Sequence, residues 1–252
     1  MNTNSNTYTV IYSIILVVIV AAVLAFAAMF LKPAQEANVK KDTIGQILTA
    51  ATISGVEDSK ILETYKQEIE KAILVDINGE EVGTLNIDDC EVYGNSDLKR
   101  QTIAEDKSLP VYVFKNGITV VPCYGAGLWG PIWGYIGFEG DLNTIKAVCF
   151  GHKGETPGLG AKIADEPSFA AGFAGKKVGK GEILFEVAKP ANRQTVDNGV
   201  DAISGATITC QALGKTLNQW FGFYQNYLAK NAACCGETCE DCEACTTNTV
   251  EE

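Results

Sequence analysis

DAISGATIT, Asp201–Thr209, stands directly before a stretch with a clear helical period: Leu213, Leu217, Phe221, Tyr224 and Leu228 recur every three or four residues within Gln211–Lys230. Small residues and three hydroxyls, Ser204, Thr207 and Thr209, therefore gather at a helix start. The unpaired amides of a first turn and the positive end of the helix dipole favour a phosphate there. A capped helix after a tight turn, with one of the three hydroxyls as N-cap, accounts for the same residues without a ligand. A Ser204 nucleophile is disfavoured, because position 202 is alanine and the G-x-S-x-G elbow is absent.

Two segments upstream share this richness in small residues. ETPGLG, Glu155–Gly160, reads as a tight loop whose glycines let backbone approach a flat ligand, or as an ordinary turn between strands. GAGLWGPIWGYIG, Gly125–Gly137, sets five glycines among Leu128, Trp129, Trp133 and Tyr135. That pattern suits close packing in a core or a cleft where Trp stacks on an aromatic group. No helix follows it, so it is not a Rossmann fingerprint.

The remainder of the chain supplies the class. With 46% hydrophobic and 20% charged residues in 252, the composition is globular rather than disordered or fibrous. A net charge of −11 without a basic stripe argues against nucleic acid. A single histidine, His152, excludes a two-histidine metal motif. It reads as a structural hydrogen-bonding residue just before the ETPGLG loop, with a role as ligand or base left open by the sequence. Residues 1–31 carry no charged side chain, and as a helix Val10–Leu31 would extend about 33 Å, enough to cross a bilayer core of about 30 Å. A retained single-span anchor is expected, rather than a cleaved leader ending near Ala25-Phe26-Ala27, because the run is long and its front lacks positive charge. Three scattered lysines, Lys32, Lys40 and Lys41, follow the span. Taken alone they would keep the soluble part cytoplasmic.

Residues 32–72 read as amphipathic helices broken at Ser54-Gly55, with Ile61, Leu62, Tyr65, Ile69 and Ile73 on one face. Asn78-Gly79 and Asn116-Gly117 each sit between apolar runs, as hairpin turns do. Residues 83–108 read as a polar loop, Ile132–Phe138 and Thr144–Phe150 as strands, 152–181 as loops and Ile183–Val187 as a strand. The order predicts an α+β fold: a transmembrane helix, then one domain of hairpin-rich sheet packed with helices. The expected division is an anchor at 1–31, a domain at 32–230 and an acidic, cysteine-rich tail at 231–252.

Asp201, Ser204, Gly205, Ala206, Thr207 and Thr209 together resemble the D-x-x-S-G-A-T-x-T flavinylation motif of FMN-binding domains. ETPGLG and GLWG are similar to that family's other two signatures. With the single span in front, the order resembles the C-type branch of that family, found in Na⁺-translocating NADH:quinone oxidoreductases, and next to it the G-type branch of Rnf electron-transport complexes. The resemblance covers roughly residues 8–228. It implies FMN attached by a flavin transferase through a phosphoester to the motif's final threonine, here Thr209, with Ser204, Gly205, Ala206 and Thr207 around it. The isoalloxazine is expected near Glu155, Thr156, Gly158, Leu159, Leu128 and Trp129, and Lys162 as a cation tuning the reduced ring. Asp201 would serve recognition by the transferase. The implied activity is electron transfer inside a Na⁺-pumping complex, from an iron–sulfur subunit to a second-flavin subunit and on to quinone. The implied location is the bacterial inner membrane with the domain on the periplasmic side. A membrane-tethered ligand-binding domain without a redox cofactor is the alternative from another class.

The tail departs from that pattern. Cys235, Cys239, Cys242 and Cys245 read C-x3-C-x2-C-x2-C, a spacing open to Zn²⁺, an iron–sulfur cluster, disulfides or a plain appendage. Cys90, Cys123, Cys149 and Cys210 are spread out and read as small core hydrophobes. Cys210, beside Thr209, is also a candidate neighbour of the cofactor.

Overall fold

Helix α1 (Asn6–Ala50) is continuous through the uncharged stretch and into the domain. It belongs to a computed structural model in which residues 6–179, 183–192, 194 and 197–232 are described. The chain divides into two units, 1–42 and 43–252. In the first, the side chains of Val10–Leu31 are exposed, with Phe26, Met29 and Phe30 about three-quarters so. By length and composition this exposed, apolar helix is long enough to cross a membrane.

The second unit is built on a six-stranded antiparallel sheet, from β1 (Ile69–Val75), β2 (Glu81–Thr84), β3 (Leu109–Phe114), β4 (Thr119–Ala126), β5 (Pro131–Phe138) and β6 (Ile145–His152), in the order β2-β1-β3-β4-β5-β6. Alternation along the strands sends side chains to two cores. Val111, Val121, Cys123, Ile132, Ile136 and Phe138 face helix α6 (Thr207–Ala232), which contributes Leu213, Leu217, Trp220, Phe221 and Tyr224. Tyr112, Phe114, Val120 and Tyr135 face the other way, onto Ile44, Ile47 and Leu48 of α1 and Tyr65 of α2 (Ile61–Glu68). The fold is α+β, as the element order implies.

Both hairpin turns form where Asn-Gly stands, with Gly79 at φ +79 and Gly117 at φ +80. Asp76 locks the first by accepting from the amides of Asn78 and Glu80, at 2.9 and 2.8 Å. Gly125 and Gly137 serve close packing. A Cβ at Gly125 would lie 2.0 Å from Thr216 Oγ1 on α6, and one at Gly137 2.0 Å from the Ala50 carbonyl of α1.

Several expectations give way. Ile69 and Ile73 lie in β1, not on a helix, because pairing with β3 overrides a spacing that fits both structures. The stretch 83–108 holds α3 (Asn95–Ile103), with Leu98 buried beneath a polar surface. Two short helices, α4 (Lys162–Asp165) and α5 (Pro167–Ala171), interrupt 152–181. The strand expected at Ile183–Val187 is β7 (Glu186–Ala188), paired in parallel with β8 (Gly199–Asp201). Its start is displaced because the amides of Leu184 and Phe185 donate to Asn218 Oδ1 on α6 instead, at 2.6 and 3.1 Å. Cys235, Cys239, Cys242 and Cys245 lie outside the described residues.

Candidate functional site

Helix α6 starts inside the motif. A turn closed by the Ala206 amide on the Ile203 carbonyl, at 3.1 Å and with Gly205 at φ +81, delivers Thr207 as the first helical residue. Ala206 thus precedes the helix, and none of Ser204, Thr207 and Thr209 takes the N-cap position. Ser204 and Gly205 are exposed, Ala206 is buried, Thr207 is half-buried and Ile208 is exposed.

Thr209 turns inward and is 2% exposed. Its hydroxyl donates to Glu155 Oε2 at 2.7 Å. The other oxygen of Glu155 accepts the Trp129 amide at 2.9 Å, and Glu155 is itself 3% exposed. One carboxylate therefore joins all three segments singled out in the sequence. Glycines wall it in: a Cβ at Gly127 would fall 2.5 Å from Glu155 Oε1, and one at Gly160 2.5 Å from Oε2 and 2.6 Å from Thr209 Oγ1.

The two loops are tight turns. The Gly127 amide donates to the Gly130 carbonyl at 2.8 Å, which closes the connection between β4 and β5. The amides of Leu159 and Ala161 both donate to the Thr156 carbonyl, at 3.1 Å each, and Gly158, between Thr156 and Leu159, is at φ +75. Thr156 and Gly158 are exposed. So are Leu128, Trp129 and Leu159, with Trp129 68% exposed. The Leu159 side chain lies against Gly205, whose Cβ would come within 2.9 Å of Leu159 Cδ2. Large apolar side chains are thus exposed on both turns that enclose the buried Glu155.

The other expected participants are spread about this centre. His152, at the end of β6, accepts the Glu155 amide on Nδ1 at 3.2 Å, a structural role. Lys162 stands 3.9 Å from Glu166, a loose and half-exposed pair. Trp133 points to the opposite face of the sheet, where its Nε1 donates to Gln46 Oε1 of α1 at 2.9 Å. Cys210 is buried; its sulfur accepts the Ile203 amide at 3.3 Å, and burial pushes the thiol pKa up. It braces the turn from within. Among the described residues, no three His, Cys, Asp or Glu side chains gather to hold a metal. The Glu155–Thr209 contact escapes sequence reading, since 54 residues separate the partners and neither spacing nor periodicity joins them.

The model of the FMN-binding domain family matches residues 127–222, a span that holds the GLWG turn, the ETPGLG turn and most of α6. Fold and site thus define an FMN-binding domain behind a long apolar helix. The C-type component (NqrC) of the Na⁺-translocating NADH-quinone reductase of Haemophilus ducreyi is 31% identical over 92% of this chain and 96% of its own length. Its counterpart in Neisseria meningitidis serogroup B is 31% identical over 81% of this chain and 85% of its own length. The crystal structure of the NqrC protein from Parabacteroides distasonis superposes with a TM-score of 0.68, at 34% identity, over 79% of this chain and 96% of that one. The chain belongs to the NqrC family of Na⁺-translocating NADH-quinone reductases.

Proposed function

We propose that this chain is the FMN-bearing electron-transfer subunit of a membrane Na⁺-translocating NADH:quinone reductase, with the flavin held as a phosphoester on a threonine of Asp201–Thr209. The observation that carries this reading is the meeting of three segments at the first turn of α6, ringed by exposed Leu128, Trp129, Leu159 and Ile208. Such a ring gains by covering an aromatic ligand. FMN, when bound, supplies reversible electron storage. The amides of the first turn and the helix dipole suit its phosphate, beside Ser204, Gly205 and Ala206. Leu128, Trp129 and Leu159 provide apolar faces for the ring, while Thr156 and the backbone at Gly158 provide hydrogen-bonding groups. Lys162, just beyond the ETPGLG turn, would supply the cation, held only by its loose pair with Glu166.

The family pattern implies Thr209 as the acceptor, but burial supports Thr207. The Thr209 hydroxyl is enclosed and already donates to Glu155, so esterifying it would break that bond and force a phosphate into a filled space. Thr207, the first residue of the helix, is only half-buried. Electrons would reach the protein from an iron–sulfur partner and leave it toward a second-flavin partner and quinone. The apolar α1 would hold the chain in the inner membrane with the domain on the periplasmic side, and a flavin transferase would mature it.

The test is flavin fluorescence on a denaturing gel for the full chain co-expressed with that transferase. Wild type and Thr209→Val are expected to fluoresce, and Thr207→Val to be dark. A dark Thr209→Val with a fluorescent Thr207→Val would return the attachment to Thr209. A dark wild type would sink the covalent flavin and favour a ligand-binding domain without it.

A further inference from the structure

Each exposed apolar residue around the site adjoins in sequence, or is itself, a member of the buried polar centre. Trp129 gives its own amide to Glu155, with Leu128 beside it. Leu159 precedes Gly160, which packs on the carboxylate. Ile208 precedes Thr209. The relative positions of these side chains are therefore set beneath the surface, at one carboxylate whose two oxygens both accept from neutral donors. A buried carboxylate demands such donors, and loses more than a neutral group when one is withdrawn. The amide of Glu155 is tied to His152, so the carboxylate starts from a fixed backbone.

We infer that Glu155 is a positioning residue: it clasps the Gly127–Gly130 turn through the Trp129 amide and the first turn of α6 through the Thr209 hydroxyl, and so sets the geometry in which the flavin ring is held. The link to flavin rests on the function proposed above; the clasp itself does not. Thr209 is then a member of the clasp, and its hydroxyl works by staying unesterified. The carboxylate is also a fixed charge near the cofactor. Substituting glutamine separates the two roles. Its carbonyl can still accept from Trp129 and its amide can donate to the Thr209 hydroxyl, which accepts as readily as it donates. Glu155→Gln thus keeps both contacts, as weaker neutral bonds, and alters the charge. Thr209→Val breaks one arm and keeps the shape, and Thr209→Ser restores the hydroxyl.

Two measurements on the full chain in detergent micelles test this. The first is amide hydrogen exchange without flavin. Thr209→Val, a change outside the Gly127–Gly130 turn, is expected to speed exchange there about fivefold to tenfold, as losing one such bond allows. Thr209→Ser is expected to match wild type, and Glu155→Gln, whose neutral carbonyl accepts the Trp129 amide less strongly than a carboxylate, to fall between wild type and Thr209→Val. Unchanged exchange in Thr209→Val would overturn the clasp. The second is a redox titration of the flavin-loaded protein. Glu155→Gln is expected to raise the midpoint potential, since a reduced flavin gains negative charge and a neutral neighbour opposes it less. Equal potentials in wild type, Glu155→Gln and Thr209→Val would overturn the positioning role. A wild type that takes up no flavin would refute the proposed function, and the exchange result would then decide the clasp by itself.

Discussion

Replacing Gly160 with alanine adds one methyl group at the most crowded point of the site. The new carbon would stand 2.5 Å from Glu155 Oε2, 2.6 Å from Thr209 Oγ1 and 3.2 Å from Glu155 Cβ. Both oxygens belong to side chains that are 3% and 2% exposed, so neither can swing into solvent. Overpacking of this kind costs about 1–3 kcal/mol. Prising the hydroxyl from the carboxylate adds the loss of a charge-assisted bond, about 1.5–3 kcal/mol, and the two overlap because one displacement causes both. A net destabilisation of about 3 kcal/mol is expected. For a unit the size of 43–252 that lowers the melting temperature by roughly 6–12 °C. Gly158→Ala, two residues away, is the control. It sits at φ +75 with nothing within 4 Å of the added carbon, so it carries only left-handed backbone strain, about 1–2 kcal/mol. The assay is thermal unfolding of both variants of the full chain, followed by near-ultraviolet circular dichroism. A Gly160→Ala melting temperature within about 2 °C of wild type, or above that of Gly158→Ala, would refute the reasoning.

Three further outcomes follow from the same geometry. Asn218→Ala removes acceptors for the Leu184 and Phe185 amides and donors to the Phe185 and Gly214 carbonyls; a loss of about 2–4 kcal/mol is expected, read from urea unfolding, and a loss under about 1 kcal/mol would contradict it. Gly125→Ala drives a methyl to 2.0 Å from Thr216 Oγ1 and should destabilise by about 2–3 kcal/mol; adding Thr216→Ala should recover part of that in a double-mutant cycle, and strict additivity would count against the contact. Burial pushes the Cys123 thiol from 9.0 up to about 12 and the Tyr227 phenol from 10.0 up to about 12. Both groups are neutral when protonated, so the unfolded chain loses these protons first as pH rises. Their contribution is fully present below pH about 9 and disappears between about 9 and 12, at about 1.4 kcal/mol per pH unit per group, with the slope steepening near 10 when Tyr227 joins. Urea midpoints measured against pH that stay flat to pH about 11 would exclude this.

The amino-acid sequence by itself determined whatever depends on neighbours along the chain. Val10–Leu31 is apolar enough to span a membrane in any tertiary context. Asn78-Gly79 and Asn116-Gly117 dictate their turns because glycine enters the left-handed region freely. Leu213–Leu228 repeats with the helical period, so α6 was legible in its core-facing side. The three small-residue segments were legible too, as a pattern resembling FMN-binding domains. Other readings failed where pairing outranks local preference. Ile69 and Ile73 suit a helix face and a strand equally, and β3 chose the strand. Leu98 alone does not announce α3, whose other residues are mostly polar. The tertiary structure alone decided how the site is wired. Glu155 reads as one more loop carboxylate until the fold carries it 54 residues along the chain to Thr209 and 26 back to Trp129. The two candidate threonines are indistinguishable as letters. They separate because two residues of helix turn Thr209 about 200° from Thr207, into the core and onto a carboxylate that only the packed sheet brings there.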